Sequence, residues 1–180
     1  LGQFVERGMG YGSPDRSGLR LGHAKIVVTL TTGGLHPSEP ELRELITEAH
    51  RLGFPVAVHA VEEEAILAVL NTLSVCPYAR MFGVKANRHT DIRAYDRIEH
   101  CSEATPAVQS LLKETGVAVC INPGFLYESG ARYRAQVPSD VLPWLYPARS
   151  LLNAGVPLLA GSDAPVASAK PTLALPLNLT

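Results

Sequence analysis

An α/β fold built on a parallel sheet is what this sequence predicts, and three observations carry the prediction. Five short strand-like runs, most of them apolar, alternate with four stretches of helical period along the chain. Polar residues able to do chemistry close several of those runs, as they do at the carboxyl ends of parallel strands. Hydrophobic residues make up 46% of the 180 and charged residues 18%, which supplies enough apolar surface for a buried sheet and excludes a disordered chain.

Taken in order, residues 1–22 read as a leading loop segment. Its glycines (Gly2, Gly8, Gly10, Gly12, Gly18, Gly22) do not follow the G-x-G-x-x-G spacing of a phosphate-cradling turn. Residues 23–167 carry the regular structure. His23 to Leu30 form the first strand, on the run Ile26-Val27-Val28-Thr29. Thr32-Gly33-Gly34 breaks it. Ser38 caps the first helix with Glu41 three residues on, the spacing of a capping box. Leu42, Leu45, Ile46 and Ala49 share that helix's inner face, and Gly53 stops it. Pro55 to Ala60 is the second strand. A helix follows directly from Val61, with Glu62, Glu63 and Glu64 in the first turn, where the helix dipole favours anions.

Residues 74–94 read as an irregular, basic, solvated loop (Arg80, Lys85, Arg88, His89, Arg93). Arg97 to Cys101 is the third strand. Ser102 or Thr105 caps the next helix, which has Pro106 near its start and ends at Gly116. Val117 to Asn122 is the fourth strand, stopped by Pro123-Gly124. A long loop rich in aromatics and arginine then runs from Phe125 to Tyr146. A short helix over 147–153 leads to Gly155 and the fifth strand. Leu158-Leu159-Ala160 has the continuous apolar character of a strand covered on both faces, and the polarity then switches at Ser162 and Asp163. Residues 168–180 read as an irregular tail. The order β-α-β-α-β-α-β-α-β requires right-handed crossovers and a parallel sheet, either an open doubly wound one or part of a barrel.

Composition narrows the partners. A net charge of −1 offers no electrostatic footprint for nucleic acid, and no apolar run approaches a bilayer span. No basic stretch followed by an apolar segment marks a signal peptide. Three cysteines (Cys76, Cys101, Cys120) without C-x-x-C spacing fit reduced thiols in the cytoplasm better than a disulfide framework or zinc knuckle. The sequon Asn178-Leu179-Thr180 has nothing else to support secretion. Leu1 in place of Met, and a tail without period, make both ends read as cuts in a longer protein.

The candidate site lies where the strands end. His59 closes the second strand, His100 the third, Asn122 the fourth and Asp163 the fifth, while Lys25 opens the first. Parallel strands aim their carboxyl ends at one rim, so residues far apart in sequence meet there. Two imidazoles and a carboxylate make a ligand set for zinc or a similar divalent ion. The carboxylate can also take a proton from a water that the metal has acidified to a pKa of about 7.

These residues resemble the amidohydrolase superfamily of metal-dependent hydrolases, in its YtcJ-like or amidohydrolase 3 branch. Val58-His59-Ala60 before a Glu-rich helix start, Arg97-Ile98-Glu99-His100, and Ala160-Gly161-Ser162-Asp163-Ala164-Pro165-Val166 carry the resemblance. It implies a partial (β/α)8 TIM barrel, with these five parallel strands resembling the fourth to the eighth. It implies that His59 and His100 are metal ligands and that Asp163 is ligand and proton shuttle. Lys25 then matches the fourth-strand lysine that is carboxylated in many members. One or two divalent ions, zinc first among them, are the implied cofactor. Asn122 and Tyr133 are the candidate substrate contacts, and the implied partner is a small-molecule substrate, with a homo-oligomer in keeping.

The family's first-strand His-x-His pair does not occur in these 180 residues; His23, His36, His50 and His89 are isolated. A (β/α)8 barrel takes about 250 residues, so strands one to three are expected before Leu1. The expected activity is hydrolysis of a non-peptide C–N bond in an amide, formamide or cyclic amide. A deaminase or C–O hydrolase on the same barrel shares these ligands. A non-catalytic half-barrel that associates with another chain is the reading of a different class. A serine hydrolase on Ser162 lacks the G-x-S-x-G elbow.

Overall fold

The structure is a computed structural model, and it describes residues 1–14, 16–76 and 95–170. Residues 77–94 of the loop expected at 74–94, and residues 171–180 of the tail expected at 168–180, with the sequon, lie outside the described residues. A short helix α1 (Gly2–Glu6) precedes the turns of residues 7–14 and 16–23. Strand β1 (Ala24–Val27) follows, then β2 (Thr29–Thr31) and β3 (Gly34–His36), helix α2 (Glu39–Arg51), and β4 (Val56–Ala60). Next come α3 (Glu63–Val75), β5 (Arg97–His100), α4 (Pro106–Thr115) and β6 (Ala118–Ile121). The last elements are α5 (Gly124–Gln136), a 3₁₀ turn (Leu142–Trp144), α6 (Ala148–Asn153) and β7 (Leu158–Ala160).

Five strands form one parallel sheet in the order β1-β4-β5-β6-β7. One face is apolar. Ile26, Val58, Ile98 and Val119 pack with Leu42, Ile46, Ile66, Leu70, Leu112 and Leu151 from the helices. Each such side chain, taken fully out of water, stabilises the fold by about 1.5–3 kcal/mol. Side chains alternate along a strand, so Lys25, His59, Arg97, Glu99 and Cys120 belong to the opposite face. None of these five is buried.

The expected caps form. Ser38 N–H and hydroxyl both donate to the Glu41 carboxylate, at 2.9 and 2.7 Å. Thr105 Oγ1 accepts from Val108 N–H at the start of α4, and Gly116 ends that helix with φ +70°. The Thr105 hydroxyl also donates to Glu63, at 2.6 Å, while Glu103 accepts from Glu63 N–H, at 3.0 Å. The segment after β5 thus holds the first turn of α3.

Four expectations about local structure are corrected. The glycine break after β1 is a two-residue hairpin turn, because Thr29–Thr31 and Gly34–His36 pair antiparallel and Gly34 takes φ +108°. Residue 74, where an irregular segment was expected to begin, is still helical, since α3 continues through Val75. The long aromatic loop begins as the helix α5. It has no apolar stripe to announce it, and none of its residues is buried; good helix formers such as Leu126, Glu128, Ala131 and Arg132 sustain it. Finally, β7 is half-exposed, with Ala160 open to solvent. It is an edge of the described sheet and pairs with β6.

A polar cluster ties the amino-terminal ends of the strands. His23 Nε2–H donates to the Tyr95 carbonyl at 2.9 Å, which leaves Nδ1 to accept from Arg97 Nη1 at 3.0 Å. Burial and then the Arg97 charge lower the His23 pKa, against smaller opposing effects of Tyr95, Asp96 and Glu99. The folded state therefore binds fewer protons at this ring than the unfolded chain. Stability from this group is complete above the unfolded value near 6.5 and declines as pH falls from there through the lowered folded value. His23→Gln keeps a donor for Tyr95 and an acceptor for Arg97 but does not titrate. Urea midpoints at pH 7 and pH 5 should fall less for His23→Gln than for the parent; equal falls would refute the assignment.

Candidate metal centre

His59 is the fourth residue of β4, and its register partner on β5 is Glu99. Burial lowers its pKa first, followed by the charges of His100 and Lys25, with Glu62 and Asp163 opposing. A ring so placed is neutral at neutral pH and has a lone pair to offer.

His100 reaches the site by a different route. Strict alternation puts it in phase with Ile98, which lies in the core, rather than with Glu99 and His59. Its φ is +73°, and Cys101 follows at +48°. This left-handed step at the strand end breaks the alternation. The His100 ring stands edge-on to the His59 ring, 4.5 Å between centroids and 73° between planes. Such backbone costs an L-residue about 1–3 kcal/mol and persists only where surrounding contacts over-determine it. Those contacts are present: Cys101 N–H donates to Ala60 O, Glu103 N–H to Val61 O, and Tyr146 N–H to Ser102 O. Among the described residues, the non-glycine positive φ angles belong to His100, Cys101, Tyr146 and Asp163. All four lie at the ends of strands β5 and β7 or on the segment packed against them.

Asn122 follows β6 directly and is 4% exposed. Its Oδ1 lies 2.7 Å from His100 Nδ1, and its Nδ2 donates to Gly161 O at 3.1 Å. Both ends of the amide expected at the substrate are thus engaged inside the protein. Phe125, at the start of α5, stacks on His100 with centroids 6.0 Å apart and planes 11° apart. Tyr146 meets Phe125 edge-on at 6.1 Å and Tyr133 at 6.1 Å. Tyr133 is half-buried on α5, beneath the Arg132 guanidinium, 5.5 Å from its ring centroid.

Lys25 is exposed on β1 and pairs with Ala57, one pleat below the Val27–His59 pair. It therefore shares the face of His59 but sits lower on it. Asp163 is exposed, three residues beyond β7, with φ +56°. Its charge acts on both His59 and Tyr146. Among the described residues no three His, Cys, Asp or Glu side chains stand together as a closed ion site. The assembled part is the imidazole pair, with Asp163 and Lys25 around it.

Glu99 escaped the sequence reading. Burial raises its pKa, but the Arg97 hydrogen bond (2.7 Å) and charge, with Cys120 and Lys25, bring it to a net lowering. The signal was its odd phase relative to Ile98, which puts it on the face of His59. Cys120 beside it is pushed up to about 12 by burial and by Glu99, so it stays a thiol.

The donor chemistry fits a divalent ion. Two imidazoles converge, one with its Nδ1 already engaged by an amide oxygen, and the Asp163 carboxylate acts on the other. A parallel sheet with helices between its strands, and with this donor set at the carboxyl ends, has the form of part of a (β/α)8 barrel. The chain belongs to the amidohydrolase family, whose model matches residues 3–177.

Solved structures agree on the fold. A metal-dependent hydrolase from Pyrococcus horikoshii OT3 is 20% identical with a TM-score of 0.77, over 98% of this chain and 36% of that one. One from Pyrococcus furiosus is 22% identical with a TM-score of 0.76, over 98% and 37%. A Xaa-Pro dipeptidase is 20% identical with a TM-score of 0.53, over 82% and 35%. The chain thus spans little more than a third of these relatives. No curated protein sequence matches it. Among the described residues no helix is long and apolar enough to cross a membrane.

Proposed function

We propose that the protein is a metal-dependent hydrolase of small molecules that cleaves a non-peptide C–N bond in an amide, formamide or cyclic amide. The observation that carries this reading is the His59–His100 pair, two imidazoles 4.5 Å apart at the carboxyl ends of adjacent parallel strands. A bound divalent ion, zinc first among the candidates, supplies Lewis acidity for the carbonyl and an acidified water. His59 and His100 hold it through neutral ring nitrogens. Lys25 joins them only when its amine is carboxylated, since an ammonium is repelled by a dication. The His-x-His pair that the resemblance calls for does not occur among these 180 residues.

Asp163 takes a proton on its carboxylate and returns it to the departing nitrogen. Phe125, Tyr133 and Tyr146 make an aromatic wall beside the pair, suited to a substrate with an apolar group. Three free cysteines suit a reducing compartment, and we place the protein in the cytoplasm on that ground.

The test is Asp163→Asn in the full protein, assayed against a panel of amides, formamides, cyclic amides and Xaa-Pro dipeptides. Turnover should fall by about 10²–10⁴-fold, the usual scale for a lost acid–base group. Undiminished turnover removes Asp163 from the chemistry. Hydrolysis confined to the dipeptides moves the reading to peptide bonds.

A further inference from the structure

We infer that Asn122 is a positioning residue, clamped between the Gly161 carbonyl and His100, that holds His100 in the tautomer with its proton on Nδ1. The inference rests on the metal-site reading above and names a residue through which that site is ordered.

The assignment follows from donor logic. The Gly161 carbonyl oxygen only accepts, so the amide NH₂ of Asn122 must face it, at 3.1 Å. The reversed amide would set two oxygens against each other. Asn122 Oδ1 therefore faces His100 Nδ1, at 2.7 Å, and an amide oxygen also only accepts. Nδ1 must carry the hydrogen. In the neutral ring Nε2 is then the nitrogen with the lone pair, and the ring is ready to ligate without a tautomer change.

Local packing serves the same bond. Gly161 N–H donates to Ile121 O at 2.9 Å, which keeps the end of β7 beside Asn122. A Cβ at Gly161 would come within 3.3 Å of Cys120 Sγ, which would have to give by a few tenths of an ångström, and would meet Asn122 Nδ2 at an ordinary 3.6 Å. His100 is 7% exposed and covered by Phe125, so water cannot readily replace the amide oxygen. The clamp also joins two motifs, since Gly161 lies two residues before Asp163. The end of β7 and the ring on β5 share one amide.

The test compares Asn122→Leu, which has similar size and no polar atom, with Asn122→Asp, which keeps an oxygen facing Nδ1. Zinc affinity of the full protein is measured by competition with a chromophoric chelator. The ring tautomer is read in the metal-free protein by ¹⁵N-histidine NMR. Asn122→Leu should bind zinc about 10–100-fold more weakly and lose the Nδ1–H signature, whereas Asn122→Asp, which keeps the acceptor for Nδ1 but loses the donor to Gly161, should keep that signature and bind zinc more tightly than Asn122→Leu. Parental affinity and tautomer in Asn122→Leu would overturn the inference. So would equal losses in both variants, because a merely structural amide does not distinguish them. A parent that binds no zinc, or a His100→Ala variant that binds it undiminished, would instead overturn the metal site itself and this inference with it.

Discussion

His100→Ala is expected to weaken divalent metal binding by about a hundredfold or more, beyond the upper end of what loss of an outer-shell partner costs. Amide hydrolysis should fall with it. The ring is 4.5 Å from its partner imidazole, so its loss halves the assembled donor pair. His59→Ala should do the same from the other side. Stability separates ligation from folding at His100. Alanine there keeps the strained φ of +73° and leaves Asn122 Oδ1 without its donor. Glycine relieves the strain, so His100→Gly should be about 1 kcal/mol more stable than His100→Ala while binding metal as poorly. Metal content by atomic emission and urea unfolding check both statements. Full metal occupancy in His100→Ala would sink the centre.

Asp96→Ala is expected to destabilise the fold by about 3 kcal/mol without weakening metal binding, the loss expected when a buried, hydrogen-bonded charge is removed. Asp96 lies just before β5, at the end of the strands away from the rim. One carboxylate oxygen accepts from Val56 N–H at 2.9 Å and from His50 Nε2–H at 3.0 Å. His50 is fully buried near the end of α2, and Val56 begins β4. A single oxygen therefore ties α2, β4 and β5 together. Asp96→Asn retains an acceptor and should cost about 1 kcal/mol, near the worth of one ordinary hydrogen bond. Unfolding midpoints of the two variants give the comparison. A loss below about 0.5 kcal/mol in Asp96→Ala, the range of neutral surface changes, would show the tie to be dispensable.

Much of this architecture was legible because it is encoded locally. Pro55 to Ala60 reads as a strand from its own composition, and the Ser38–Glu41 box and the Thr105 cap have side-chain signatures at fixed spacing. The two histidines were legible because each stands at or near the end of a run that reads as a strand. The hairpin after β1 was not, since Thr32-Gly33-Gly34 reads as a breaker and each strand has only three residues. Helix α5 was not, because a helix that buries nothing has no reason to show an apolar stripe. Asn122 looked like a substrate contact for want of any sign of its neighbours.

The sequence by itself determined the order of the strands, the parallel sheet, the three strand-end motifs and, through them, the family. These are carried by the period-2 and period-3.6 patterns and by residue types at fixed positions, which survive without knowledge of remote contacts. Only the tertiary structure decided which side of its strand His100 serves, what Asn122 holds, and that β7 stands at an edge of the described sheet. The reason is physical. The sign of φ at a strand end is not written in any periodic pattern. At His100 it is maintained by hydrogen bonds from Cys101 to Ala60, from Glu103 to Val61 and from Tyr146 to Ser102. All three bonds join residues more than forty positions apart in the chain, and they exist only once the strands have assembled.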